Sequence, residues 1–97
     1  MAELGTEQYF VDRLLGMPRP GEEKILAFYE HRMGAIFTNP RLMVIPLDDH
    51  LVHRGDGVFE ALRFENGAIY QLGEHLSRLE RSASAIGLAA PVGREEL

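Results

Sequence analysis

The chain has 97 residues, 45% of them hydrophobic and 26% charged, and a formal net charge of −5. These values fit one small globular domain and disfavour broad electrostatic binding to nucleic acid or anionic lipid. The absence of cysteine excludes disulfides, thiolate metal ligands and a cysteine nucleophile. No apolar run is long enough to span a membrane, and the N-terminus lacks the features of a signal peptide, so we expect a cytoplasmic protein.

The first half of the chain predicts a helix, a hairpin and an edge strand. Residues 7–15 place apolar side chains at helical spacing, with Thr6 as a plausible N-cap and Gly16 as a plausible end. Residues 29–37 predict a hairpin, and the apolar run 43–47 predicts an edge strand or a bend, because a proline interrupts it.

The second half carries the clearest local signals. Two β-rich runs flank Asn66-Gly67, the strongest short hairpin signal, and their alternation places Phe59 and Glu60 on opposite faces. A helix is predicted from 74 to 86, closed by a glycine, with an apolar stripe along one side. Residues 91–97 read as the first turn of another helix. The predicted fold class is therefore α+β, a short antiparallel sheet with packing helices, and the chain is expected to end inside a longer domain.

Spacing alone singles out two arginines. Arg78 lies at the border of the apolar stripe, roughly a turn from the predicted helix start, where a guanidinium could bind a phosphate; an ion pair at the surface or an interface is the alternative. Arg54, between His53 and Gly55 at a predicted turn, could face a cleft and bind a carboxylate. His75, near the apolar stripe, is expected to be structural.

Two further patterns are weaker evidence for a functional site. His50 and His53, beside two aspartates, could suggest the metal site of a hydrolase, but no third or fourth ligand is evident, so we expect no metal. Gly55 and Gly57 do not form a phosphate loop, because they precede a strand; they predict a sharp reversal with close backbone approach.

The order of these motifs matches a known family. Residues 45–88 resemble the N-terminal domain of class IV (fold-type IV) pyridoxal-phosphate aminotransferases, which include D-amino-acid and branched-chain aminotransferases and aminodeoxychorismate lyase. The resemblance extends loosely back to about Phe28, and residues 1–25 show no recognisable counterpart. The matching motifs are Asp49-His50, Gly55 to Glu60, Asn66-Gly67, Glu74-His75-x-x-Arg78-Leu79, and Ser82-Ala83 to Gly87.

The resemblance implies roles for particular residues. Arg78 matches the arginine that binds the phosphate of pyridoxal 5'-phosphate. Phe59, Arg54 and His53 would lie on the substrate side of the pocket; many relatives carry an aromatic residue at position 54, so the arginine shifts this wall from apolar toward anion-binding. In the family the catalytic lysine lies in a later domain. Lys24, the sole lysine, lies in no matching motif, so no catalytic residue is expected in this chain.

The resemblance also implies an organisation and a function. Residues 1–25 lie outside the resemblance and are expected from their helical pattern to form a helical extension, whereas residues 26–97 would form an N-terminal domain truncated before the lysine-bearing domain. The full-length protein would transfer an amino group between an amino acid and a 2-oxo acid and work as a homodimer, whereas the fragment alone would be inactive. An aminodeoxychorismate lyase-like enzyme and a non-catalytic interaction domain stay open as alternatives.

Overall fold

A computed structural model describes residues 2–97, which separate into two compact units, one ending at Pro46 and the other spanning Leu47–Leu97. Short helices and two-stranded antiparallel hairpins make up both units, which confirms the predicted α+β class. The first unit contains α1 (Glu7–Gly16), β1 (Phe28–Glu30) and β2 (Ala35–Phe37), with 3₁₀ turns at Glu22–Lys24 and Pro40–Leu42. The second contains α2 (His50–Arg54), β3 (Phe64–Glu65), β4 (Ala68–Ile69) and α3 (Leu72–Ala85), with a 3₁₀ turn at Arg94–Glu96.

The first unit confirms the predicted helix and hairpin. The Thr6 hydroxyl accepts a hydrogen bond from the backbone N–H of Tyr9 and so caps α1, which ends at Gly16 as expected. Strands β1 and β2 pair antiparallel, and the rings of Phe28 and Phe37 stack across them with centroids 5.6 Å apart.

The strand predicted at residues 43–47 is wrong. The Asn39 side chain accepts from the N–H of Arg41 and begins a 3₁₀ turn at Pro40, after which the backbone is irregular. Pro46 supplies no N–H for a ladder, so the apolar run gains little from pairing as a strand.

One arginine joins three segments of the first unit. The Arg41 guanidinium donates to the Glu22 carboxylate from Nε at 2.8 Å and from Nη2 at 2.9 Å, and to the carbonyl of Leu15 from Nη1 at 2.6 Å. The hydrogen bonds from Arg41 to the Glu22 carboxylate are the main cause that lowers the pKa of Glu22 to about 2. The end of α1 is therefore tied to both 3₁₀ turns.

The loop ahead of the second hairpin behaves as its glycines predict. Asp49 accepts from the N–H of Leu51 at 2.8 Å and caps α2, a short helix that the sequence did not predict. Gly55 ends this helix with φ of 70°, a left-handed conformation. A Cβ at Gly57 would clash with Cδ1 of Leu51, so the reversal and the close approach are both confirmed.

The second hairpin forms at the predicted turn but is much shorter than expected. Asn66 and Gly67 both have positive φ, 53° and 77°, as a type I′ turn requires. Each strand has only two residues, and one further bond runs from the N–H of Tyr70 to the carbonyl of Arg63. Residues 55–63 form no strand, because within residues 2–97 the two hairpin strands have no third neighbour.

Helix α3 begins at Leu72, two residues earlier than predicted, and ends at Ala85. Gly87, with φ of 76°, follows it, and the N–H of Leu88 bonds back to the carbonyl of Ala83. The predicted glycine stop is confirmed. The new helix expected near the C-terminus is a single 3₁₀ turn.

The second unit carries large apolar side chains at its surface. No residue among 2–97 is buried, and Phe59 is 87% exposed. Local turns, caps and ion pairs therefore define the backbone more than a core does. None of the helices within this range has the length and apolarity to cross a membrane.

Two glycine substitutions in the second unit should act with opposite sign. Gly55→Ala should lower its free energy of unfolding by about 1 kcal/mol, because φ of 70° is strained for alanine. Gly73→Ala, inside α3 with open space around its Cβ position, should raise it by up to about 1 kcal/mol. Urea unfolding followed by amide NMR signals of the unit measures both; equal shifts of the same sign would contradict the assigned backbone.

Candidate functional site

Helix α3 presents two polar side chains side by side. His75 and Arg78 are three residues apart, a spacing that places them on one face of a helix. The hairpin Phe64–Ile69 reverses the chain just before α3, and this reversal brings Glu60 against that face. The site is therefore built from two segments, since Glu60 precedes His75 by 15 residues and Arg78 by 18 residues in sequence.

Glu60 is the most enclosed ionisable side chain of this cluster. Its side chain is 7% exposed, and its carboxylate accepts from Nδ1 of His75 at 2.7 Å. It also accepts from Nε of Arg78, at 3.0 Å to Oε1 and 3.1 Å to Oε2, and from Nη2 of Arg78. Both carboxylate oxygens are thus engaged by α3.

These contacts fix the charges. Hydrogen bonds from Arg78, and secondly from His75, lower the pKa of Glu60 to about 2, so the carboxylate is ionised at neutral pH. The same contact with Glu60 raises the pKa of Arg78. The pair is a charge-assisted hydrogen bond, a stronger class than a neutral one.

The His75 tautomer follows from its partner. An ionised carboxylate can only accept hydrogen bonds, so Nδ1 of His75 carries a proton and donates to Glu60. Nδ1 therefore cannot accept from Nη2 of Arg78, 3.4 Å away. His75 holds the carboxylate from one side while the guanidinium holds it from the other.

Arg78 keeps one edge of its guanidinium available. Its side chain is 59% exposed, and within residues 2–97 its Nη1 has no hydrogen-bond or ion-pair partner. A guanidinium has five N–H donors, and the two on Nη1 suit an anion's oxygens. Because α3 begins at Leu72, Arg78 lies about 9 Å along its axis, so the first-turn N–H groups are farther away than the predicted helix start implied.

An open apolar groove of about 500 Å³ adjoins Glu60. That volume is within the range of small-molecule sites. Phe59, predicted to line the substrate pocket, lies on this groove with its ring almost fully exposed. The other residues of the groove are Val58, Glu60, Leu62, Ile69, Leu72, Leu76, Leu79, Arg94 and Leu97.

The other two predicted pocket residues lie on α2. Nε of Arg54 is 3.3 Å from the Asp56 carboxylate, and the arginine side chain is 66% exposed. His53 is exposed on the same short helix. Within residues 2–97 no hydrogen bond or ion pair joins either of them to Arg78. The structure brings Phe59 close to the Arg78 cluster through its neighbour Glu60; the pocket roles of Arg54 and His53 stay predictions.

The part of the chain that the structure describes has no arrangement of side chains suited to a metal ion. Within residues 2–97 no group of three or more His, Asp or Glu side chains could hold a metal ion. Asp49 instead caps α2, and Nδ1 of His50 lies 4.0 Å from the Asp56 carboxylate. Lys24 ends the exposed 3₁₀ turn Glu22–Lys24 in the first unit.

Glu60 ends one of the matching motifs, Gly55 to Glu60, but no role was predicted for it. The available signal was an acid on the face opposite Phe59, ahead of a hairpin that leads into His75-x-x-Arg78. An enclosed acid needs charged or hydrogen-bonding partners, and the following helix offers two. Residues 55–63 form no strand, so alternation does not give the direction of this side chain, and only the folded hairpin gives the contact.

The chain is similar in sequence to known aminotransferases. Residues 57–97 match the family model described as amino-transferase class IV. The chain is 44% identical over 89 residues to the chloroplastic D-amino-acid transaminase of Arabidopsis thaliana, which covers 92% of this chain and 24% of that protein. It is 36% identical over 67 residues to D-alanine aminotransferase of Bacillus licheniformis (64% of this chain, 24% of that protein). It is 33% identical over 81 residues to branched-chain-amino-acid aminotransferase-like protein 2 of Arabidopsis thaliana (84% and 14%).

The extent of these matches bears on the N-terminal residues. The chain spans about a quarter of the length of the first two relatives. The Arabidopsis transaminase aligns with 92% of the chain, so its similarity reaches into residues 1–25, for which the motifs indicated no counterpart. No solved structure matches significantly.

The lowered pKa of Glu60 predicts a particular acid response. A carboxyl whose pKa falls from 4.5 to about 2 on folding contributes stability that is complete above pH 4.5 and is lost as the pH falls through about 2. Glu60→Gln should remove most of this loss in the second unit, followed through amide NMR signals of α3 in urea at several pH values. Glu74→Gln, exposed on the same helix, should keep the wild-type pH dependence; an unchanged slope in Glu60→Gln would contradict the assignment.

Proposed function

Because the chain belongs, through residues 57–97, to the class IV aminotransferase family, we propose that the full-length protein is a pyridoxal-phosphate-dependent aminotransferase. It transfers an amino group between an amino acid and a 2-oxo acid. The observation that carries this proposal is the cluster on α3: a guanidinium held on one edge by an enclosed carboxylate, with its other edge exposed.

The residues present fit the phosphate of the cofactor. Nη1 of Arg78 offers two donors that no other side chain among residues 2–97 engages, and the guanidinium keeps its charge at any physiological pH. Arg78 would hold the phosphate group, and the groove beside Glu60 would face the rest of the ligand. Pyridoxal phosphate, when bound, serves as the electron sink for the amino acid.

The substrate side would be formed by Phe59 and by helix α2, which carries His53 and Arg54. Phe59 offers an apolar wall on the groove. Arg54 would bind the substrate's carboxylate, and Asp56, 3.3 Å away, would orient it in the absence of substrate. We infer a D-amino acid as the donor, since two relatives with 36–44% identity are named for D-amino acids; a branched-chain donor is the second choice.

The rest of the protein would complete the site. The catalytic lysine lies outside this chain, and two subunits form each site as a homodimer. Many large apolar side chains are exposed, among them Phe59 and Leu72. Their exposure supports a second surface that covers them. The 97-residue chain alone would be inactive.

Removal of the phosphate ligand should be visible in cofactor binding. Arg78→Ala in the full-length protein should weaken pyridoxal 5'-phosphate at least tenfold, because a charge-assisted hydrogen bond to the phosphate is lost, and should leave pyridoxal affinity nearly unchanged. Absorbance titration of the apoprotein measures both ligands.

Arg81→Ala is the matched control, since this arginine is exposed on the same helix and has no ion-pair partner among residues 2–97. It should bind both ligands like the wild type. Equal cofactor affinity in Arg78→Ala and Arg81→Ala would overturn the assignment. Product analysis with D-alanine and 2-oxoglutarate tests the reaction, since a lyase would yield no new amino acid.

A further inference from the structure

We propose that Glu60 is the positioning residue of the anion site: its carboxylate holds Nε and Nη2 of Arg78, so that the Nη1 edge is directed at the cofactor's phosphate. This inference rests on the proposed function, in which Arg78 is the phosphate ligand. His75 completes the arrangement by holding the carboxylate in place.

Burial distinguishes this pair from other ion pairs of the second unit. The Glu60 side chain is 7% exposed, against 53% for Glu80 in its pair with Arg94 and 41% for Asp56 in its pair with Arg54. A pair whose two partners are both exposed fixes neither side chain firmly. In the Glu60 pair the acidic side chain is enclosed, and the arginine that extends from it is 59% exposed.

Two donors on one carboxylate remove its freedom to turn. Oε1 accepts from His75 at 2.7 Å and from Nε of Arg78 at 3.0 Å, and Oε2 lies 3.1 Å from the same Nε. Rotation of the carboxylate would break bonds on both sides at once. His75 therefore holds the Glu60 carboxylate, and this carboxylate holds the Arg78 guanidinium.

The negative charge of Glu60 makes the proposal testable through the direction in which Glu60→Gln changes phosphate affinity. A carboxylate near a bound phosphate repels it, so electrostatics alone predicts that Glu60→Gln would strengthen phosphate binding. Positioning predicts the reverse, because an arginine without its anchor must lose rotamer freedom when the ligand binds. The two effects oppose each other, and the direction of the change decides between them.

The experiment is a double-mutant cycle on the full-length apoprotein. Glu60→Gln and Glu60→Ala are each combined with Arg78→Ala, and the affinities for pyridoxal 5'-phosphate and for pyridoxal are measured by absorbance titration. We expect Glu60→Gln to weaken pyridoxal 5'-phosphate about tenfold and Glu60→Ala more, with pyridoxal affinity unchanged. In the Arg78→Ala background neither Glu60 change should have a further effect. Glu65→Gln, which weakens the exposed pair with Arg63 and lies outside the groove, serves as the matched control and should bind like the wild type.

The outcomes separate the two proposals. If Arg78→Ala weakens the cofactor and Glu60→Gln leaves its affinity unchanged or raises it, the positioning role is overturned and the proposed function stands. If Arg78→Ala itself has no effect, the proposed function fails. If Glu60→Gln lowers pyridoxal and pyridoxal 5'-phosphate affinity equally, Glu60 acts on the whole pocket, and its role toward Arg78 is likewise overturned.

Discussion

The Glu60 carboxylate accepts hydrogen bonds from two side chains of α3, and the candidate site depends on this contact. It determines which edge of the Arg78 guanidinium is exposed, fixes the proton of His75 on Nδ1, and ties the segment before the hairpin to the helix after it. Its cost is the desolvation of an acid, which two charged or hydrogen-bonding partners offset. A short polar contact thus takes the structural role that apolar packing has in larger domains.

The same principle holds in the first unit, where Arg41 joins Glu22 and the carbonyl end of α1. No residue between 2 and 97 is buried, although 45% of the chain is hydrophobic. Caps, positive-φ turns and multidentate arginines therefore fix local geometry while apolar side chains face outward. Phe59 on the groove illustrates the consequence, since an exposed aromatic ring beside the Arg78 cluster suits contact with a ligand or another protein surface better than it suits solvent.

Local chemistry was predictable from the sequence and tertiary pairing was not. Thr6 as a cap, Asn66-Gly67 as a turn and Gly87 as a helix stop depend on neighbours a few residues away, and all three are confirmed. The strand at 43–47 and the long strands around the second hairpin failed because apolar runs become strands only beside a partner, and propensity does not supply one. Arg78 was identified by its motif, whereas its contact with Glu60 spans 18 residues and required the folded hairpin.

A crystal structure of the full-length protein with pyridoxal phosphate would show whether Glu60 directs Arg78 at the cofactor's phosphate. If it does, Nη1 of Arg78 will lie roughly 2.7–3.2 Å from a phosphate oxygen, with Nε still on the Glu60 carboxylate. A phosphate bound elsewhere, with the guanidinium turned to solvent or released from Glu60, would rule this role out.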